Sequence, residues 1–217
     1  MNVLESEHQS FMPMCKKCFF LFIVLIQLSC KTEVKRIGIQ PLGTVNAIYL
    51  DSIQKVLSNF YSREVVILAE KAIPPSAFIN VKSPRYRADS LIYNLRKTKP
   101  DSIDIVLGIL ASDISITKKD DSGRPKMPSS KYADWGIMGL GFCPGKSSIV
   151  STFRLGQNNK PLFMERLKKI SAHEVGHNFG LMHCKSEFCV MRDAAESIQT
   201  VDKVNLALCD DCKRRIN

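Results

Sequence analysis

Three of the chain's four histidines fall in one short stretch, His173-Glu-Val-Gly-His177-Asn-Phe-Gly180-Leu-Met-His183. On a helix, residues four apart stand one turn above each other on the same face. His173 and His177 can therefore offer two nitrogens to one ion. Glu174 stands one step round from His173, where it reaches a water at the metal without being a ligand, as a general base must. Gly180 lets the chain leave the helix through a left-handed turn. The chain then doubles back and brings His183 to the same ion. Three neutral imidazoles leave a fourth position open, the mark of a catalytic rather than a structural zinc. A bare HExxH pair also arises on ordinary helices, with histidines that merely cap carbonyls or pack. The added glycine and third histidine separate this stretch from those cases.

A second cluster follows directly. Cys184-x4-Cys189, nineteen intervening residues and Cys209-x2-Cys212 form a four-thiolate pattern close to the spacing of structural zinc sites. The alternative is two local disulfides, which an oxidising compartment would favour. Loops this short suit metal better, and the helical stretch between the pairs (Val201, Val204, Leu208) suits a clamp. From His173 to Cys212 the sequence resembles the archaemetzincin signature: HExxHxxGxxHC, four residues, Cys189, one residue, Met191, seventeen residues, then Cys209-x2-Cys212. The resemblance implies a metzincin-like fold with two zinc ions per chain, one catalytic on the histidines and one structural on the cysteines. It also implies that Met191 is the Met-turn residue beneath the active-site metal; ordinary core packing is the plainer reading of that side chain.

The elements that must position these residues are an α/β (α+β) set: a mixed, twisted sheet with packed helices. Residues 35–40 read as a strand that Pro41-Leu42-Gly43 breaks. Val45, Tyr49, Ile53, Val56, Leu57 and Phe60 recur at helical spacing from Thr44, the expected cap, to Phe60. Val65 to Leu68 reads as a short buried strand. Ala88, Leu91, Ile92 and Leu95 mark a helix that must end before Pro100. Ile103 to Leu110 reads as a strand buried on both faces. This alternation indicates a mostly parallel or mixed sheet. Residues 118–131 read as an exposed loop, and strand-like pieces follow at Gly136–Cys143 and Ser148–Arg154, separated by Pro144-Gly145. Pro161 fits the first turn of a helix whose stripe, Phe163, Leu167 and Ile170, runs into the histidines. The Gly136–Cys143 piece is either an inner strand or an edge to which an extended substrate adds.

With 217 residues, 45% of them hydrophobic and 24% charged, the chain is expected to fold rather than remain disordered. A net charge of +10 could favour nucleic acid, an anionic membrane or acidic substrates. The Lys and Arg residues are scattered without aromatic interleaving, which reads as a solvated basic surface, and no specific nucleic acid is expected. Near the start, Lys16-Lys17 precede an apolar run, Phe19–Leu28, that is too short for the roughly twenty residues a membrane crossing needs. Ser29-Cys30 then gives a resemblance to a bacterial lipoprotein signal, with Cys30 as lipid anchor. Residues 1–30 thus read as an export segment and 31–217 as one peptidase domain, attached to a membrane after export. A cytoplasmic location is the alternative. Cys143 reads as a core thiol. The expected function is zinc-dependent hydrolysis of peptide or protein substrates. Two rivals are a basic, zinc-stabilised binding module with a vestigial active site, which has no need of Glu174, and a zinc hydrolase of some other bond.

Overall fold

Strand β1 (Ile37–Pro41) is buried along its whole length, and so are β5 (Ile105–Leu110) and β9 (Ser147–Ser151). Strands covered on both faces read as continuous apolar runs, which is how Ile105-Val-Leu-Gly-Ile-Leu110 reads. The computed structural model describes residues 35–120, 122–193 and 197–216, so the export segment expected over residues 1–30, with Cys30, lies outside the described residues. The sheet order is β2-β1-β5-β9-β8, where β2 is Val65–Ile67 and β8 is Gly139–Gly141. All neighbours are parallel except β8, which runs antiparallel to β9.

Alternation along β5 divides the core in two, because successive strand side chains point to opposite faces. Ile105, Leu107 and Ile109 join the cluster that holds helix α1 (Ala47–Tyr61) and the long helix of the histidine motif. Val106 and Leu110 join the opposite cluster with Leu91, Ile92 and Leu95 of α2 (Ala88–Thr98). Gly108 lets α2 close onto the sheet, since a Cβ there would stand 2.6 Å from Leu95 Cδ1 and 2.5 Å from Ile149 Cδ1.

A second, four-stranded sheet orders β3-β4-β6-β7: Phe78–Asn80, Pro84–Arg87, Ile114–Ile116 and Trp135–Ile137. A short helix, α3 (Ser129–Tyr132), interrupts the segment expected to be loop. Several expectations are corrected. The cap of α1 is Asn46, whose side chain accepts from Ile48 N–H at 2.9 Å, and not Thr44. Strand β2 is an edge with only Val65 buried, because it has a neighbour on one side alone. The Gly136–Cys143 piece is not one strand: β7 ends in the second sheet and β8 begins at the edge of the first, with Met138 at the crossing. Strand β9 stops at Ser151, and Phe153–Leu155 forms a 3-10 turn.

Candidate active site and metal centres

Helix α4 (Lys160–Asn178) carries the motif. It starts where Asn159 caps it, accepting from Leu162 N–H at 3.1 Å, with Pro161 in the first turn as expected. It ends in a Schellman turn: Leu181 N–H donates to Gly176 O (3.0 Å) and Gly180 N–H to His177 O (2.8 Å), with Gly180 at φ +91°. That left-handed residue is the one the sequence singled out.

The turn returns His183 to the helix. The ring centroids of His173, His177 and His183 lie 4.7, 5.0 and 5.3 Å apart. His173 Nδ1 sits 2.8 Å from Val190 O and His177 Nδ1 2.7 Å from Leu181 O. A carbonyl can only accept, so each Nδ1 carries the proton and each Nε2 presents a lone pair. Those two Nε2 atoms are 3.1 Å apart. Two Zn–N bonds of about 2.05 Å meeting at a tetrahedral angle span about 3.3 Å. The histidines thus fit one small cation. Burial, then the neighbouring His177, pushes His173 down to about 4, and burial also lowers His177, so both stay neutral in the form a metal requires.

Glu174 is buried beside them, under the glycines of β8: a Cβ on Gly139 would stand 2.6 Å from Glu174 Oε1. No hydrogen bond holds its carboxylate among the described residues. Burial pushes its pKa up to about 8, so its ionised form depends on positive charge placed at the histidines. Strand β8 is the last strand of its sheet, so of the two readings of this glycine-bearing stretch the edge is the observed one. Beneath the helix, Met191 is fully buried with its sulfur against Gly176, where a Cβ would stand 2.5 Å from Sδ. It lies in a turn closed by Arg192 N–H to Cys189 O at 3.0 Å.

The four cysteines converge separately. Cys184 and Cys209 sulfurs lie 3.6 Å apart, Cys189 and Cys212 3.8 Å apart, and all four ligand atoms fall within 4.8 Å of one another. A tetrahedron of about 2.3 Å Zn–S bonds has edges of about 3.8 Å, whereas a disulfide needs about 2.0 Å. The cluster fits zinc and not bridges. The backbone N–H of Cys212 draws Cys209 down to about 7, while burial pushes Cys189 and Cys212 up. Ionising all four in so small a space requires a cation. Cys143 lies apart, half-buried, with its thiol 3.4 Å from Leu181 O.

Other site residues carried no signal in the sequence. Asn178 donates to Phe142 O and Ser147 O, both at 2.9 Å, and ties the histidine helix to the β8–β9 hairpin. A cavity of about 610 Å³ opens between β8, α4 and α5 (Ile198–Lys203), with Ile170, Val190 and Val201 among its apolar walls and the histidines at its side.

A mixed sheet, a helix bearing two imidazoles and a carboxylate, a third imidazole returned by a glycine turn, and an open strand edge above them define a zinc-dependent metallopeptidase. Residues 33–217 match the profile of Peptidase family M54, and the chain belongs to that family. The archaemetzincin of Saccharolobus solfataricus is 31% identical over 193 residues, covering 85% of this chain and 94% of that one. That of Haloarcula marismortui is 30% identical over 189 residues, covering 83% and 98%. The crystal structure of archaemetzincin from Methanopyrus kandleri superposes with a TM-score of 0.70 at 26% identity, covering 87% of this chain and 97% of that one.

Proposed function

We propose that the chain cleaves peptide bonds with Glu174 as general base, at a zinc held by His173, His177 and His183. A second zinc on Cys184, Cys189, Cys209 and Cys212 clamps the C-terminal segment. The supporting observation is the pair of unprotonated Nε2 atoms 3.1 Å apart beside a carboxylate that no described residue hydrogen-bonds. Zinc in such a site supplies Lewis acidity towards the scissile carbonyl and makes water acidic near neutral pH. Glu174 takes the proton of the attacking water and delivers it to the leaving amine. An extended substrate adds to the free edge of β8, whose two glycines let its backbone lie over the catalytic carboxylate. Met191 serves as the turn residue supporting the helix from below. We read residues 31–217 as the peptidase domain and residues 1–30 as a lipoprotein-like leader that anchors the protein through Cys30; a Cys30→Ser protein that stays in the membrane fraction rejects the anchor.

The central test is Glu174→Gln in zinc-loaded protein. Peptide turnover is expected to drop by about a thousandfold with the metal content unchanged. Undiminished cleavage would remove Glu174 from the mechanism. Metal analysis should give two zinc ions per chain, one lost in His177→Ala and the other in Cys209→Ser.

A further inference from the structure

Lys169 lies on α4 one turn before His173, half-buried and lining the same cavity. Its ammonium donates to the carbonyls of Val201 and Asp202, both at 3.2 Å, at the end of α5. Among the described residues no carboxylate oxygen hydrogen-bonds it, although the Asp202 carboxylate lies near enough to feel its charge. The nearby Asp202 is committed to Arg166, whose guanidinium donates to both of its oxygens at 2.7 Å. Of the other cations that line the cavity, Arg154 is matched in the same two-pronged way by Asp113, again at 2.7 Å for both bonds, and Arg192 stands 3.9 Å from Glu187. Of the cavity's own acids, Glu174 sits under β8 and Asp193 stands 3.6 Å from His183, on the histidine side. Ile170, Val190 and Val201 give the same cavity apolar lining. An ammonium has three donors and two are in use. The third has no hydrogen-bond partner among the described residues, one helical turn from the histidines.

We propose that this cavity selects a carboxylate on the substrate close to the scissile bond, and that Lys169 is the residue that reads it. The inference rests on the peptidase reading and adds a substrate class to it: peptides with Glu or Asp next to the cleaved bond, or with a free chain end there. A charge-assisted hydrogen bond of this kind in a partly solvated slot changes affinity by about tenfold.

Zinc-loaded Glu174→Gln protein allows binding to be measured without turnover. Fluorescence polarisation would compare two pairs of labelled alanine-rich hexapeptides: one glutamate against one glutamine with both C-termini amidated, and a neutral peptide with a free against an amidated C-terminus. The carboxylate member of at least one pair should bind about tenfold more tightly. Which pair discriminates tells whether side chain or chain end is taken. That ratio should fall to near one when Lys169→Met is added, persist with Lys169→Arg, and turn to favour a lysine peptide with Lys169→Glu. Thermal melts would confirm that each variant is folded. Ratios near one in both pairs for the parent protein overturn the proposal without reference to any Lys169 variant, and so does a preference that survives Lys169→Glu. Cleavage of the same peptides by the unaltered protein is a separate readout. Its absence counts against the peptidase reading, while the binding ratios still decide the role of Lys169.

Discussion

Two glycines carry constraints that follow from single atoms. At Gly139 a Cβ would stand 2.6 Å from Oε1 and 2.8 Å from Cγ of Glu174, so even alanine must displace the proposed base. A displacement of about 1 Å at a reacting group costs on the order of a hundredfold in rate. Gly139→Ala should therefore lower kcat/KM about a hundredfold while zinc stays bound, read from peptide kinetics and metal content together; full activity would mean the edge strand does not set the position of Glu174. At Gly176 the opposing effects concern stability. Alanine gains about 1 kcal/mol of helix propensity but forces Met191 Sδ, 2.5 Å from the new methyl, and Tyr61 Oη, at 3.1 Å, to move. Overpacking of this kind costs about 1–3 kcal/mol. The second effect wins, and Gly176→Ala should be less stable by about 1 kcal/mol in urea unfolding.

At the level of elements, the histidine helix was legible from its own sequence because its signals are local: Pro161 at its start, the four-residue histidine spacing, and Gly180 at its end. The second sheet was not. Its strands are three or four residues long, too short for alternation to register, and Tyr86 pairs with Ile114 from far along the chain. The pocket wall was hidden for a similar reason: Val201 and Val204 read as a helical stretch between cysteines, and nothing local says they face Lys169 and Ile170. One tie between α5 and α4 is Arg166, which bonds Asp202 twice and also Leu155 O at 2.8 Å. The pair is mostly covered, with side chains 13% and 30% exposed. Asp202→Asn should cost about 1–2 kcal/mol at pH 7. The hydrogen bonds from Arg166 hold the Asp202 carboxyl below its ordinary value. A depressed acid stabilises the fold above its unfolded pKa of about 3.9 and loses that contribution as pH falls through the lower folded value. The difference in Tm between the two proteins should thus be constant above about pH 5 and shrink below about pH 4. A difference that persists unchanged in acid would place the effect in packing instead.

For the described molecule as a whole, the two candidate metal centres are coupled through one stretch of chain. His183 and Cys184 are adjacent, so a ligand of one site is bonded to a ligand of the other. The cysteine pairs bracket residues 190–208, which supply the carbonyl that orients His173, the buried Met191 and the pocket wall on α5. Helix α4 also reaches this stretch through Arg166 and Lys169, at Asp202 and Val201, while Val190 N–H to Ala207 O (2.9 Å) and Asn205 N–H to Phe188 O (2.9 Å) join residues within the bracket or at its edge. Loss of the proposed thiolate clamp is therefore expected to loosen a wall of the site, and loss of a histidine to leave the clamp and both apolar cores intact. Binding of a structural zinc is linked to folding by many kcal/mol in small domains, and even a fraction of that acting on one end of this chain is large against a typical stability of about 5–15 kcal/mol. Cys209→Ser should lower Tm by about 10 °C or more and reduce peptidase activity although the substituted residue lies outside the catalytic set. His177→Ala should abolish activity with a much smaller change in Tm. Reductant should leave the unaltered protein's Tm in place, since no sulfur–sulfur bond joins the described cysteines. The asymmetry between the two variants is the decisive quantity in differential scanning calorimetry. If Cys209→Ser melts with the unaltered protein and keeps both metals, the cysteines bind nothing that the fold relies on, and the pocket wall is held by its own packing.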